Sequence, residues 1–433
     1  MRTGMSCLAC ALASFGVTVA VAAQVPARPV TDPVSGLTID QAIDEALRND
    51  PLLGASRADI IAARGEQRQA TLWPNPDVMV EQREQFGGTD RQTGISMDLP
   101  LDVFRRGARI EAAERAVTVA ERSTLEAERR VAIAVREAYG QVLDAARREA
   151  IAAEVVDASR RTYELLRGRA AEGAAPPLER DVSLVEWRRI ESLHEQAASR
   201  LAIAASALTR LLGRPAGTDL ILRDSLESIV GRERSAGTEG APVLDRADVQ
   251  EAAAQVAMAQ ARTEEAKQDA KPSLAVFGSY MRMDQGFSQS GINALGQLEP
   301  VHGRFYNGAI GVRLSIPLFD RGQGTIAAAG AREVAANERL RARRLDAASE
   351  RATAAARLDA ARRAAASFSA DGRALARRNL DVMRETYALG RVTLFDVINE
   401  QRRYLDFESF YTDVLAEVFA AVTALRGATG EIR

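Results

Sequence analysis

The chain has 433 residues, a net charge of −2 from 57 Lys and Arg against 59 Asp and Glu, and only 5% aromatic residues. That balance gives no case for a nucleic-acid partner, and the Arg-rich runs read as solvated helix faces. Cys7 and Cys10 are the only cysteines and His194 and His302 the only histidines. Neither histidine has a second at metal-ligand spacing, and no phosphate-cradling glycine loop or nucleophile elbow occurs, so the residues point to no cofactor, no metal site and no enzymatic activity.

Residues 1–23 read as a secretory signal. Arg2 supplies the positive start, Leu8 to Ala22 is apolar, and Val21-Ala22-Ala23 before Gln24 forms a small-residue cleavage site. Both cysteines fall inside this segment, so the mature chain has neither disulfides nor thiolates. Next comes "LTIDQAIDEALRN", 37–49, a helix with Thr38 or Asp40 as cap. A second helix follows from Pro51 to about Leu72, and "WPNPD", 73–77, ends it with two prolines. The period then changes. "DVMVEQREQF", 77–86, is a weak strand, "GGTD", 87–90, a turn, and "TGISMDLP", 93–100, alternates with a period of two.

From Leu101 to Ala175 there is no proline. A helix from about 104 to 172 would be roughly 100 Å long, far beyond the average of about 11–12 residues. Val135, Tyr139, Val142 and Ala146 follow a coiled-coil seam. Gly173 to Pro177 break the helix, a second runs from about Leu178 to Leu212, and "GRPAG", 213–217, closes this half. The plan then repeats: a helix over 245–270, a strand over 273–283, a polar Gly-rich loop at about 285–305, and a strand over 307–317. In that last strand Ile310, Val312, Leu314 and Ile316 share one face. Met281 and Met283 read as lipid- or core-facing. After Pro317 an Ala-rich helix runs to a break at Gly390, and Tyr411, Leu415, Val418, Val422 and Leu425 form the returning seam.

"ISMDLPLDVFRRGARIEAA", 95–113, matches "VRLSIPLFDRGQGTIAAA", 312–329, with Pro100 and Pro317 at the two strand-helix junctions. The division is therefore a signal (1–23), a first repeat (24–217), a linker or equatorial segment (218–242) and a second repeat (243–433). The class is mainly α with a small β part. Alternating apolar and polar residues in an exported chain suit a transmembrane barrel; a small periplasmic sheet packed on helices is the alternative. About four strands cannot close a membrane barrel, since known ones start at about eight. A membrane location thus requires subunits to pool their strands.

With "WPNPD", the two strand-Pro-helix motifs and "YALGRVTLFDVINEQRR", 387–403, the sequence resembles the TolC-type outer-membrane efflux proteins, and among them the CzcC/CusC-like members of tripartite pumps. The resemblance spans about Leu37 to Gly430. It implies a homotrimer in outer-membrane lipid, with a twelve-stranded barrel and a helical tunnel across the periplasm. It also implies a periplasmic adaptor and an inner-membrane RND-type transporter as partners, and small solutes such as metal cations or drugs as cargo. A type I protein-secretion duct shares this architecture, and a periplasmic coiled-coil scaffold is the reading from another class.

By the same resemblance the two glycine breaks are hairpin tips at the periplasmic entrance, where Gly173, Ala174, Gly390, Arg391 and Val392 meet the adaptor. Tyr387 matches a tyrosine that helps hold the entrance shut, bonding Glu179 across neighbouring hairpins. Asp396 with Asn399 would form the narrowest ring. Two departures stand out: the first tip has two prolines and lacks the usual apolar sequence, and Asn399 stands where some members have a second acid. On residue chemistry alone, Glu179 and Asp396 also read as ordinary acids favoured at a helix start by the dipole.

Overall fold

The computed structural model describes residues 30–430 except 87, 89, 236–245 and 369. The signal, both cysteines and part of the 218–242 segment lie outside these residues. Helix α1 (Ile39–Asn49) is capped by Thr38 in a reciprocal box with Gln41, and α2 (Pro51–Ala70) by Asp50, with Pro51 in the first turn. Strands β1 (Asp77–Glu84) and β2 (Arg91–Leu101) lead into α3 (Arg106–Ala171), 66 unbroken residues. Helix α4 (Pro177–Leu211) returns beside it.

Helix α5 (Leu226–Ser235) lies in the segment between the two halves, where no helix is expected from the sequence. Leu220, Leu222, Leu226, Ile229 and Val230 are buried there in the main core. The second half has α6 (Ala247–Asp269), β3 (Ser273–Ile292), β4 (Leu298–Ser315), α7 (Gln323–Ser367), α8 (Ala370–Ala388) and α9 (Leu394–Thr429).

The main core lies at the helices' mid-height, where α1, α3, α5, α7 and α9 meet. Val135, Tyr139 and Val142 of the expected α3 seam are fully buried, as are Val418 and Val422 of the α9 seam. The buried Tyr139 hydroxyl lies 2.8 Å from the Asp224 carboxylate and 2.9 Å from the Leu37 carbonyl, tying α3 to both α1 and the inter-repeat segment. Not every arginine faces solvent. Arg105, Arg106 and Arg109, at the start of α3, donate to carbonyls of Lys271, Thr71, Ala70 and Leu72, capping the ends of α6 and α2.

The sheet runs β1-β2-β3-β4, antiparallel throughout, with β1 and β4 as open edges. Its register aligns Ile310 with Gly278, Met97 and Val78, and Val312 with Val276 and Leu99. Directly paired residues share a face, so one face is an apolar belt. The other carries Arg313, Asp98, Ser96, Ser279 and Asn307. Met281 and Met283 pair with Asn307 and Phe305 and lie, half-buried, on this second face and not in the apolar belt. Alternation fixes that parity: they are odd-numbered on β3, where the apolar belt takes the even positions.

Two expectations are corrected. The segment 285–305 is not a loop but the outer part of the β3–β4 hairpin. Pairing continues through a bulge between Gly286 and Ser290 to Ile292↔Leu298, and only 293–297 turn. Backbone bonding along the ribbon and the edge-on Phe287–Phe305 contact sustain strands that the polar composition hid. His302 accordingly lies in a strand. Second, the long C-terminal helix is interrupted before Gly390. Phe368 is extended, with φ −93° and ψ 99°, and its ring packs on Phe407, Phe410 and Tyr411. Aromatic packing there replaces helix continuity. The prolines also sit further from the helices than expected: Pro100 pairs within β2, and α3 and α7 begin six residues after Pro100 and Pro317.

Candidate functional site

Both hairpin tips are built the same way. Gly173 and Gly390 have φ of +73° and +70°, a region that costs a side chain dearly. Each ends its helix in a paired motif: Ala174 N–H to Arg169 C=O (2.8 Å) and Gly173 N–H to Ala170 C=O (3.2 Å), then Arg391 N–H to Thr386 C=O (3.1 Å) and Gly390 N–H to Tyr387 C=O (2.9 Å). Three residues after each glycine comes the next helix's N-cap, Pro176 or Thr393. Three further on comes the acid, Glu179 or Asp396.

The two acids then diverge. Thr393 accepts from the Asp396 N–H, while the Asp396 carboxylate accepts from the Thr393 N–H (2.9 Å) and hydroxyl (2.6 Å), a complete capping box. Those bonds hold the Asp396 carboxyl below its ordinary range, so it stays ionised at neutral pH. At the first tip Pro176 has no side-chain donor or acceptor and no N–H. Glu179 is left for the other hairpin, where it accepts from the Tyr387 hydroxyl at 3.0 Å. Burial first, then this bond to a carboxylate, pushes Tyr387 up to about 12. The structure thus brings Tyr387 and Glu179 together, from different hairpins. Asp396 and Asn399, one helical turn apart on α9, are exposed and joined to neither.

Beneath the tyrosine, Leu166, Leu394 and Ile398 form a small core with Val182 and Ala175, so both hairpins share one apolar plug. Further polar ties follow up the helices. Gln401 donates to Ser159 (2.8 Å, buried), and Arg402 to the buried Glu186 (2.9 Å). Burial works to raise the Glu186 carboxyl, but Arg189 and Arg402 overcome it and hold it low. Higher still, Arg377 meets Glu154 at 2.7 Å. Glu408, fully buried, accepts from Arg147 and Arg373 at 2.8 Å each.

The expected adaptor-contact residues Gly173, Ala174, Gly390 and Arg391 are exposed, and Val392 is half-buried. Sequence reading missed Leu178 and Leu389, which stand 67% and 72% exposed beside the two glycines. An apolar residue flanking each break was the available signal. It also missed Gln401 and Arg402, whose role depends on partners some 216–242 residues away.

Among the described residues no helix is long and apolar enough to cross a membrane, which leaves the sheet's apolar face unaddressed. The chain is 23% identical over 396 residues to the cobalt-zinc-cadmium resistance protein CzcC of Cupriavidus metallidurans, covering 90% of this chain and 89% of the relative. Its fold matches crystal structures of CusC with a TM-score of 0.71 at 19% identity, over 90% of this chain and 92% of that one. It also matches the open state of the Neisseria gonorrhoeae MtrE outer membrane channel, with a TM-score of 0.68 at 18% identity over 90% and 88% of the two chains. Residues 42–214 and 244–431, the two halves that carry the paired tips, match the profile of the outer membrane efflux proteins, and the chain belongs to that family.

Proposed function

We propose that the protein is the outer-membrane exit duct of a tripartite RND-type efflux system. It acts as a homotrimer that passes small solutes, such as metal cations or drugs, from the periplasm to the outside. One observation carries this reading: a four-stranded sheet with two open edges and an apolar face that no helix covers. Ile310, Val312 and Leu314 on that face are 86%, 63% and 55% exposed. Three such sheets joined edge to edge make a barrel of about twelve strands, within the known size range. From Tyr306 to Ser315 the strand covers about 30 Å, or about 23 Å of membrane height at the usual tilt. Aromatic residues bound the belt: Tyr280 and Tyr306 stack at one end (6.3 Å), while Trp73, Phe104 and Phe319 stand exposed near the other. A periplasmic scaffold would leave this belt unexplained.

The chain supplies the passage and its closure, with no chemistry of its own. Energy comes from the inner-membrane transporter, and the adaptor grips the tips at Gly173, Ala174, Gly390, Arg391 and Val392, with Leu178 and Leu389 as apolar footholds. Tyr387 and Glu179 hold the two hairpins together at rest. Three Asp396 carboxylates, with Asn399, ring the narrowest point and favour cations. Likeness to a cobalt-zinc-cadmium resistance protein supports divalent cations as cargo.

The test is insertion. Val312→Arg places a charge on the lipid face at a cost of about 2–4 kcal/mol and should deplete the protein from outer-membrane fractions. Arg313→Ser, on the opposite face, should not. Equal tolerance at both positions, or a monomer in native mass spectrometry of detergent extracts, would overturn the reading.

A further inference from the structure

We infer that the lipid-facing side of the sheet carries a binding site for the phosphate groups of an outer-leaflet lipid, built by Arg282 and Arg304 around Asp284. The inference rests on the barrel reading above. In the register Asp284 pairs with Arg304 and with Arg91, and Arg282 pairs with Tyr306. These residues share parity with Ile310, Val312 and Leu314, so they lie on the apolar face and not in the lumen. They come immediately beyond the stacked tyrosines Tyr280 and Tyr306. Charge on that face is costly at the midplane and nearly free at the interface, so its place along the strand sets it at headgroup depth.

The cluster is arranged for an anion. Asp284 uses both carboxylate oxygens, Oδ1 for Arg304 Nε at 2.6 Å and Oδ2 for Arg282 Nη2 at 2.9 Å. One carboxylate thus holds two guanidiniums in fixed positions and leaves a net positive charge. Arg91 beside them is neutralised by Glu84 at 2.9 Å. The Arg282 and Arg304 side chains remain 43% and 55% exposed. Guanidinium forks match phosphate oxygens in pairs, and pre-ordering them lowers the entropy cost of binding.

The other end of the belt is built differently. There Arg105, Arg106 and Arg109 are spent on backbone carbonyls, and Arg106 also covers the Trp73 ring at 5.1 Å. The Arg282–Arg304 pair stands at the end that the hairpin turns mark as external. That leaflet is where phosphorylated glycolipid is concentrated.

The full-length protein in detergent is titrated with diphosphorylated lipid A, dephosphorylated lipid A and inorganic phosphate, and bound lipid is counted by native mass spectrometry. The parent should retain lipid A in a phosphate-dependent manner. Arg282→Ala with Arg304→Ala should bind at least tenfold more weakly, and Arg304→Gln alone severalfold more weakly. Parental affinity in the arginine variants, or indifference to the lipid's phosphates, would overturn the site. Displacement by millimolar inorganic phosphate would make it a general anion site and overturn the lipid assignment. If these variants reach outer-membrane fractions normally, such a result rejects the site alone. Val312→Arg inserting like the parent would instead reject the barrel.

Discussion

The two hairpin tips carry the same pattern and use it for different ends. Gly390 lies 217 residues after Gly173, Asp396 lies 217 after Glu179, and both glycines end their helices with the same hydrogen bonds. What separates them is one residue at the N-cap. Thr393 draws Asp396 into its own helix start. Pro176 offers nothing, so Glu179 reaches across to Tyr387. The residue 217 positions before Tyr387 is Ala170, which has no hydroxyl to return the favour. A capping acid and a bridging acid therefore differ by their neighbour, not by their own identity or spacing. The same holds higher up: Glu408 is buried between Arg147 and Arg373, whereas Glu191, 217 residues before it, pairs with Arg188, whose side chain is 61% exposed.

That last pair offers the largest effect. Glu408→Gln strips the buried one of two carboxylates facing Arg147, the other being Glu227; the Arg147 side chain is only 8% exposed, and the change should cost about 1.5–3 kcal/mol. Glu191→Gln should cost at most about 0.5 kcal/mol. Thermal unfolding of the two variants side by side measures the gap, and equal losses would erase the distinction between the halves. Next comes the cap. Thr393→Ala should loosen the start of α9 by about 1 kcal/mol, seen as faster amide exchange at 393–397. Pro176→Ala should leave the start of α4 close to the parent, because no side-chain cap is lost there.

The bridge is of similar size. Tyr387→Phe removes one hydrogen bond to a carboxylate, worth about 1–2 kcal/mol, and should speed exchange in both tips rather than in one. The mildest effect is that of pH. Asp396 and Glu186 are held low, so their ties are intact above the ordinary carboxylate values of 3.8 and 4.5 and fail as pH falls below them. Tyr387 is raised, so its contribution is intact below its ordinary value of 10.0 and is lost as pH climbs through about 12. Between those limits these three groups keep one charge state. Fluorescence of Trp187, stacked on Tyr163 at 5.4 Å beside Glu186, should therefore be flat from about pH 6 to 9 and change on either side.

Much of the fold was legible because it is written in local terms. Proline-free runs, period-two alternation and glycine breaks gave the long helices, the strand faces and both tips to within a few residues. The pairing of Tyr387 with Glu179 followed from family resemblance, and its reason did not. The missing step was the cap chemistry of Pro176, which is visible in the sequence but decisive only once Tyr387 is known to be near. The Phe368 interruption depends on rings from α9 some forty residues on, and the outer β3–β4 ribbon on backbone pairing that polar side chains conceal. Met281 and Met283 fall on the face opposite the apolar belt because parity, not apolar character, sets the side a strand residue takes.

The most direct measurement is the resting conductance of Pro176→Thr in a planar bilayer. This change restores an N–H and a hydroxyl at the cap and writes Thr-Pro-Leu-Glu over 176–179, the capping-box pattern of the second tip. Glu179 should then turn inward to its own helix and release Tyr387, raising resting conductance as Tyr387→Phe should, although neither bridging residue has been altered. A conductance equal to the parent's, in a variant whose α4 amides show the new cap has formed, would contradict the assignment of Tyr387 and Glu179 as the closing bridge.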